Sequence, residues 1–103
     1  MTPTATIAGL PDRLLALERA NEIRRARAQL KRRIGAGQLS VAAVILDSPV
    51  EARSWLVAEL LASQRHWGGA KCRKFLAHNR ISELKPVGEL TERQRRLLAA
   101  RLT

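Results

Sequence analysis

The sequence predicts an all-α fold in which a long N-terminal helix packs on a compact bundle of short helices. Three observations carry this. No stretch alternates polar and apolar residues over the length of a strand. Aromatic residues make up only 3% of the chain. Apolar residues recur at spacings of three and four along most of its length. With 103 residues, 46% of them hydrophobic, there is enough for one modest core and too little for two. A single domain is expected, with a tail over 1–10, a basic helix over 11–35 and a helical module over 36–103.

Met1 to Gly9 is small, polar and β-branched, with Pro3 and Gly9 as breakers, and reads as a loose tail. From Asp12 helix formers run without Gly or Pro to Gly35, which together with Gly37 supplies a C-terminal stop. This predicts a helix of about 22 residues, roughly 33 Å long. Ala16, Ala20, Ile23, Ala26, Leu30 and Ile34 form its core-facing stripe. Ser40 reads as the N-cap of a short helix through Val41, Val44 and Ile45, which Asp47-Ser48-Pro49 ends.

Ser48, Pro49 and Glu51 have the N-cap, N1 and N3 pattern of a capping box, so one helix or two abutting helices are expected between Pro49 and Gln64. Val57, Leu60 and Leu61 carry the inward face, and Trp55 anchors helix packing. Gly68-Gly69 interrupts the pattern, which resumes over Ala70 to His78 with Cys72, Phe75 and Leu76 apolar. A looser link holds Ile81, Leu84, Pro86 and Gly88. Thr91 and Gln94 then form a second capping box, opening a last helix that buries Leu97, Leu98 and Leu102.

Lys and Arg number 19 against 9 Asp and Glu, a net charge of +10, far beyond what solubility asks of a small domain. The excess falls in two blocks, +5 over residues 21–34 and +5 over 65–85, on either side of a segment of −2. On the long helix Arg24, Arg27 and Lys31 line up, with Arg25 and Arg32 on an adjacent line. No Glu at i,i+4 relieves their repulsion, whereas phosphates would. The second block surrounds the turn Trp67-Gly68-Gly69-Ala70-Lys71 just before a helix. A helix start leaves backbone N–H groups unpaired, glycine lets a phosphate approach them, and Lys71 can close over the same anion. Trp67 is expected to pack rather than to stack on bases, since stacking needs a single-stranded or kinked substrate.

Several function classes are disfavoured. The single cysteine, Cys72, allows no intramolecular disulfide and no cysteine zinc cluster, and it reads as a small buried apolar residue. His66 and His78 are too far apart for a one-turn metal pair and suit surface or phosphate-facing positions. No spacing of candidate acids, bases and nucleophiles matches a catalytic constellation, so neither enzyme activity nor a cofactor is expected. The start of the chain lacks a basic segment followed by an apolar run, and no run approaches a membrane span. A cytoplasmic protein that stays off membranes is expected.

RRARAQLKRR (24–33), VAELL (57–61), WGGAK (67–71) and ELTERQRRLL (89–98), in this order, resemble actinobacterial integration host factor, the mycobacterial and Streptomyces type. The similarity runs from about residue 21 to the end. It implies a helix-two-turn-helix module behind a long helix, and a nucleoid-associated protein that binds duplex DNA with little sequence preference, bends or compacts it, and assists phage integrases. It also implies that the Gly68 backbone, Lys71, Arg24, Arg25, Arg27 and Lys31 hold phosphates. The family usually has proline at the position of Arg65, a basic residue at that of Gly69 and an arginine-rich link where Lys85-Pro86-Val87-Gly88 stands here. The side-chain contact expected from Gly69 is therefore missing, and Arg65, Arg73 and Lys74 compensate in a divergent or phage-borne relative. A monomer on double-stranded DNA is the expected state. Structured RNA is the rival partner, because contacts to phosphate do not distinguish the polymers. An acidic protein is the third.

Overall fold

A computed structural model describes residues 11–102. Helix α1 (Asp12–Gly35) has the predicted limits and is 24 residues long, about 36 Å at 1.5 Å per residue. Asp12 in its first turn and Arg32 and Arg33 in its last suit the helix dipole. It ends in a Schellman pair: Gly37, at φ 77°, donates to the Ile34 carbonyl at 3.1 Å and Gln38 to that of Arg33 at 2.9 Å. The expected tail over 1–10 lies outside the described residues.

The predicted stripe of α1 is only partly core. Leu30 and Ile34 are buried, Ala20, Ile23 and Ala26 are half-buried, and Ala16 is exposed. The N-terminal half of the helix therefore runs beyond the core.

Helix α2 (Val41–Asp47) starts as predicted, with Ser40 Oγ accepting from the Ala43 N–H at 3.1 Å, and buries Val41, Val44 and Ile45. The capping box at Ser48 does not form. Ser48 instead closes α2 in the left-handed conformation, φ 47°, and its N–H donates to the Val44 carbonyl at 2.8 Å. Only a 3-10 turn, Val50–Ala52, follows. Nor does one helix run on to Gln64. Leu56 forms an antiparallel bridge with Pro86, Val57 donating to the Lys85 carbonyl and Val87 to the Trp55 carbonyl, each at 2.9 Å. This long-range pairing overrides the local helical signal, and it buries Trp55 and Val87.

Helix α3 (Val57–Ala62) buries Val57, Leu60 and Leu61. Two successive turns, closed by Gln64 to Leu61 and Trp67 to Gln64, lead to α4 (Gly69–His78), which packs against α3. Cys72 and Leu76 are buried as predicted and Phe75 is half-buried. Another Schellman pair ends α4, Ile81 donating to the Leu76 carbonyl at 2.9 Å and Arg80 to that of Ala77 at 3.1 Å.

The following link is not loose. Ile81, Val87 and Leu90 are core residues, whereas Leu84 is 72% exposed. Helix α5 (Glu92–Leu102) opens on the predicted box, the Gln94 N–H reaching Thr91 Oγ1 at 3.1 Å and the Thr91 N–H reaching Gln94 Oε1 at 3.0 Å. It packs on α2, burying Leu98 and Ala99, with Leu102 half-buried and Leu97 at the surface. Arg95 ties the two together, donating to the carbonyls of Ile45 at 3.2 Å and Gly88 at 3.4 Å. Among the described residues no charged side chain is buried and no helix is long and apolar enough to cross a membrane.

Candidate nucleic-acid interface

The basic side of α1 lies opposite its core contacts. Leu30 and Ile34 fix one face against the module, so Arg24, Arg25, Lys31 and Arg32 are left exposed on the other. Arg24 makes a single 3.4 Å contact with Asn21 Oδ1. Lys31 leans over the Trp55 ring, its Nζ 5.2 Å from the centroid, and its stem shares a groove with Glu59, Ala62 and Ser63.

Arg27 behaves differently from its neighbours. Half-buried, it donates from Nε to the Glu51 carbonyl at 3.2 Å and from Nη2 to Ser54 Oγ at 2.6 Å, and its guanidinium lies 5.9 Å from the Trp55 centroid. It staples α1 to the 3-10 segment. Its membership of the basic run made it look like its neighbours, and only the distant Trp55 and Ser54 distinguish it.

The second basic block begins where the first ends. Arg65 lines one groove with Ile34, Gly35 and Gly37, so the two-turn connection abuts the C-terminal end of α1. His66 holds a left-handed conformation there, φ 67°, a backbone role that the sequence did not signal. At the start of α4 no side chain caps the helix and its first turn carries no acid, leaving backbone N–H groups and the positive end of the dipole available to an anion.

Around this helix start, Arg73 folds back on the turn: its Nη1 is 3.3 Å from where a Cβ on Gly69 would stand. Around Gly68 there is open space. Lys71 Nζ sits 4.4 Å from the centroid of Trp67, which in turn meets Phe75 edge-to-face at 5.4 Å. Trp67 is thus half-buried packing with a cation on its outer face. Lys74 is exposed one turn after Lys71.

The remaining reactive groups lead elsewhere. Burial pushes the Cys72 thiol above its ordinary value against the opposing charges of Arg73 and Lys71, which keeps it protonated and unreactive. No cluster of three or more His, Cys, Asp or Glu suited to a metal occurs among the described residues. What the site offers is two sets of exposed cations on rigid elements, joined at Arg65, beside one open helix N-terminus. Such an arrangement has the charge and the open backbone donors that phosphates require.

No protein-family model matches this chain, and neither does any curated protein. Among solved structures, that of sIHF bound to an 8-base-pair palindromic DNA is similar to it, with a TM-score of 0.75 and 26% sequence identity. The similarity covers 84% of this chain and 99% of the other. The all-α architecture of a long helix on a helical module is therefore shared with sIHF, a protein whose structure was solved bound to DNA.

Proposed function

We propose that this chain binds duplex DNA through the sugar–phosphate backbone, with little sequence preference, as a non-enzymatic architectural protein of the nucleoid. The supporting observation is two sets of exposed cations, Arg24, Arg25, Lys31 and Arg32 on α1 and Lys71 and Arg73 at the uncapped start of α4, with Arg65 against the C-terminal end of α1, on a fold shared with a protein solved on DNA. That neighbour also favours DNA over structured RNA as the polymer. The chain is then a divergent relative of actinobacterial integration host factor. Its two anchoring surfaces belong to different elements, so a duplex that meets both bends unless they are coplanar. Bending is what would compact DNA or serve a phage integrase.

Each phosphate neutralised releases counterions, contributing about −0.9 to the slope of log K against log salt. Titrations on random-sequence duplex over a range of salt should show a steep slope. Changing Arg24, Arg25 and Arg32 together to Ala should reduce it by up to about 3, equally on all sequences. A slope near zero for the unaltered protein would exclude backbone contacts. Selective loss of one sequence would mean that bases are read. Tighter binding to RNA duplex of the same length would reassign the partner.

A further inference from the structure

The N-terminal turns of α1 carry an apolar face that no other described residue covers. No residue between Asp12 and Gln29 is buried, and Leu14 and Leu17 are 41% and 55% exposed. At 3.6 residues per turn, the line through Leu14 and Leu17 lies about 150° around the helix from the stripe of Ile23, Leu30 and Ile34. The core could not reach these leucines by extending along the helix. The segment is also unsuited to phosphate: Asp12 and Glu18 balance Arg13 and Arg19 in a chain that is otherwise strongly basic.

The pattern is that of a coiled-coil seam. Leu14 and Leu17 occupy a and d, Asn21 the next a, and Arg13 and Glu18 the flanking g and e positions. In a parallel pair, g of one helix meets e of the other five residues on, which sets Arg13 against Glu18 twice. An antiparallel pair sets g against g and e against e, leaving both charges without an opposite. Asn at a single a position fixes register at a cost in stability. Arg24, at the following d, ends the seam by repulsion.

We propose that two copies of this chain pair in parallel through residues 13–21 of α1 and grip one duplex between them. Leu14, Leu17, Arg24, Arg25, Lys31 and Arg32 all lie within about 120° of helix circumference, opposite the core. Helices that meet at the leucines and part at Arg24 therefore turn both basic faces toward the space between them. Basic helices diverging from a coiled coil hold DNA in this way. Each copy keeps its own Arg65 and glycine turn, and the second copy doubles the basic helical face that meets the duplex. A seam of about ten residues, roughly 15 Å long, buries far less than the ~1,200 Å² of a stable interface. Copies are accordingly separate in dilute solution and pair where a shared duplex raises their local concentration.

The inference rests on the DNA-binding reading, and the test separates the two. On a duplex of about 25 base pairs, roughly 85 Å at 3.4 Å per step, the unaltered protein should bind steeply, two copies at a time. The double variant Leu14→Ala/Leu17→Ala should bind one copy at a time, at least about 10-fold more weakly. Arg13→Glu should flatten the isotherm, and Arg13→Glu with Glu18→Arg should restore it, which a merely structural role would not produce. Because Cys72 is buried, a thiol introduced by Leu14→Cys should form disulfide dimers on the duplex at least about 10-fold faster than one introduced by Arg19→Cys on the far side. Equal steepness for the leucine variant and the unaltered protein, or equal cross-linking by the two thiols, would overturn the pairing alone. An unaltered protein that binds no duplex would overturn both readings.

Discussion

Replacing Arg27 by Ala removes two charge-assisted hydrogen bonds, at 2.6 Å to Ser54 Oγ and 3.2 Å to the Glu51 carbonyl, and a cation at 5.9 Å from the Trp55 ring. Hydrogen bonds to charged groups contribute about 1.5–3 kcal/mol each where well buried, and an exposed cation–π contact about 0.5–1 kcal/mol. Arg27 is only half-buried, and the contacts share one guanidinium, so a loss of about 2 kcal/mol is expected. For a domain of this size that lowers the melting temperature by roughly 10 °C. Arg24→Ala is the matched control. It gives up one 3.4 Å contact at the surface and should stay within about 0.5 kcal/mol of the parent. Urea unfolding followed by Trp fluorescence, with DNA titrations across salt on the same samples, reads both properties. Arg27→Ala should lose stability and keep its salt slope, while Arg24→Ala should do the reverse. An unchanged urea midpoint for Arg27→Ala, with a slope reduced as much as in Arg24→Ala, would refute the assignment of Arg27 to the scaffold.

Two further outcomes follow from the packing. Gly88→Ala would place a Cβ 3.0 Å from Arg53 Cβ and 3.1 Å from the Arg53 carbonyl oxygen, so the bridged segment must shift at a cost of about 1–3 kcal/mol; an unaltered thermal midpoint would contradict this close approach. The buried Cys72 thiol should react with a disulfide reagent only as fast as the protein unfolds. Because its pKa is raised in the fold from 9.0, the unfolded chain loses this proton first. The contribution of Cys72 to stability is thus complete below pH 9 and declines as pH rises beyond it, a decline that Cys72→Ala should remove.

Features set by a few neighbouring residues were legible in the sequence. The glycine stop of α1, the Ser40 cap and the Thr91–Gln94 box all rest on residues close in sequence to the groups they satisfy. Reading failed where a distant partner decided the outcome. Ser48, Pro49 and Glu51 have the composition of a helix start and a 3-10 turn does follow, but the pairing of Trp55 and Val57 with Lys85 and Val87 requires extended backbone at Leu56, so the turn cannot continue as a helix. The same holds for the candidate interface. Charge density located both basic blocks, and the Gly68-Gly69 turn did fall at an uncapped helix start. Charge could not separate Arg27 from Arg24, because the difference lies in Trp55 and Ser54, more than twenty residues away.

The short bridge at Leu56 and Pro86 has a consequence for engineering. Its hydrogen bonds bring together chain positions some thirty residues apart, so the hairpin of α3 and α4 leaves and re-enters the body at a single junction. Closing a loop of that length carries an entropic cost that changes by only about 0.6 kcal/mol if the loop is doubled. The turn between α3 and α4 can therefore be lengthened or exchanged with little effect on the clamp, provided that Val57, Leu60, Leu61, Cys72 and Leu76 are kept, because they share one core with α1, α2 and α5.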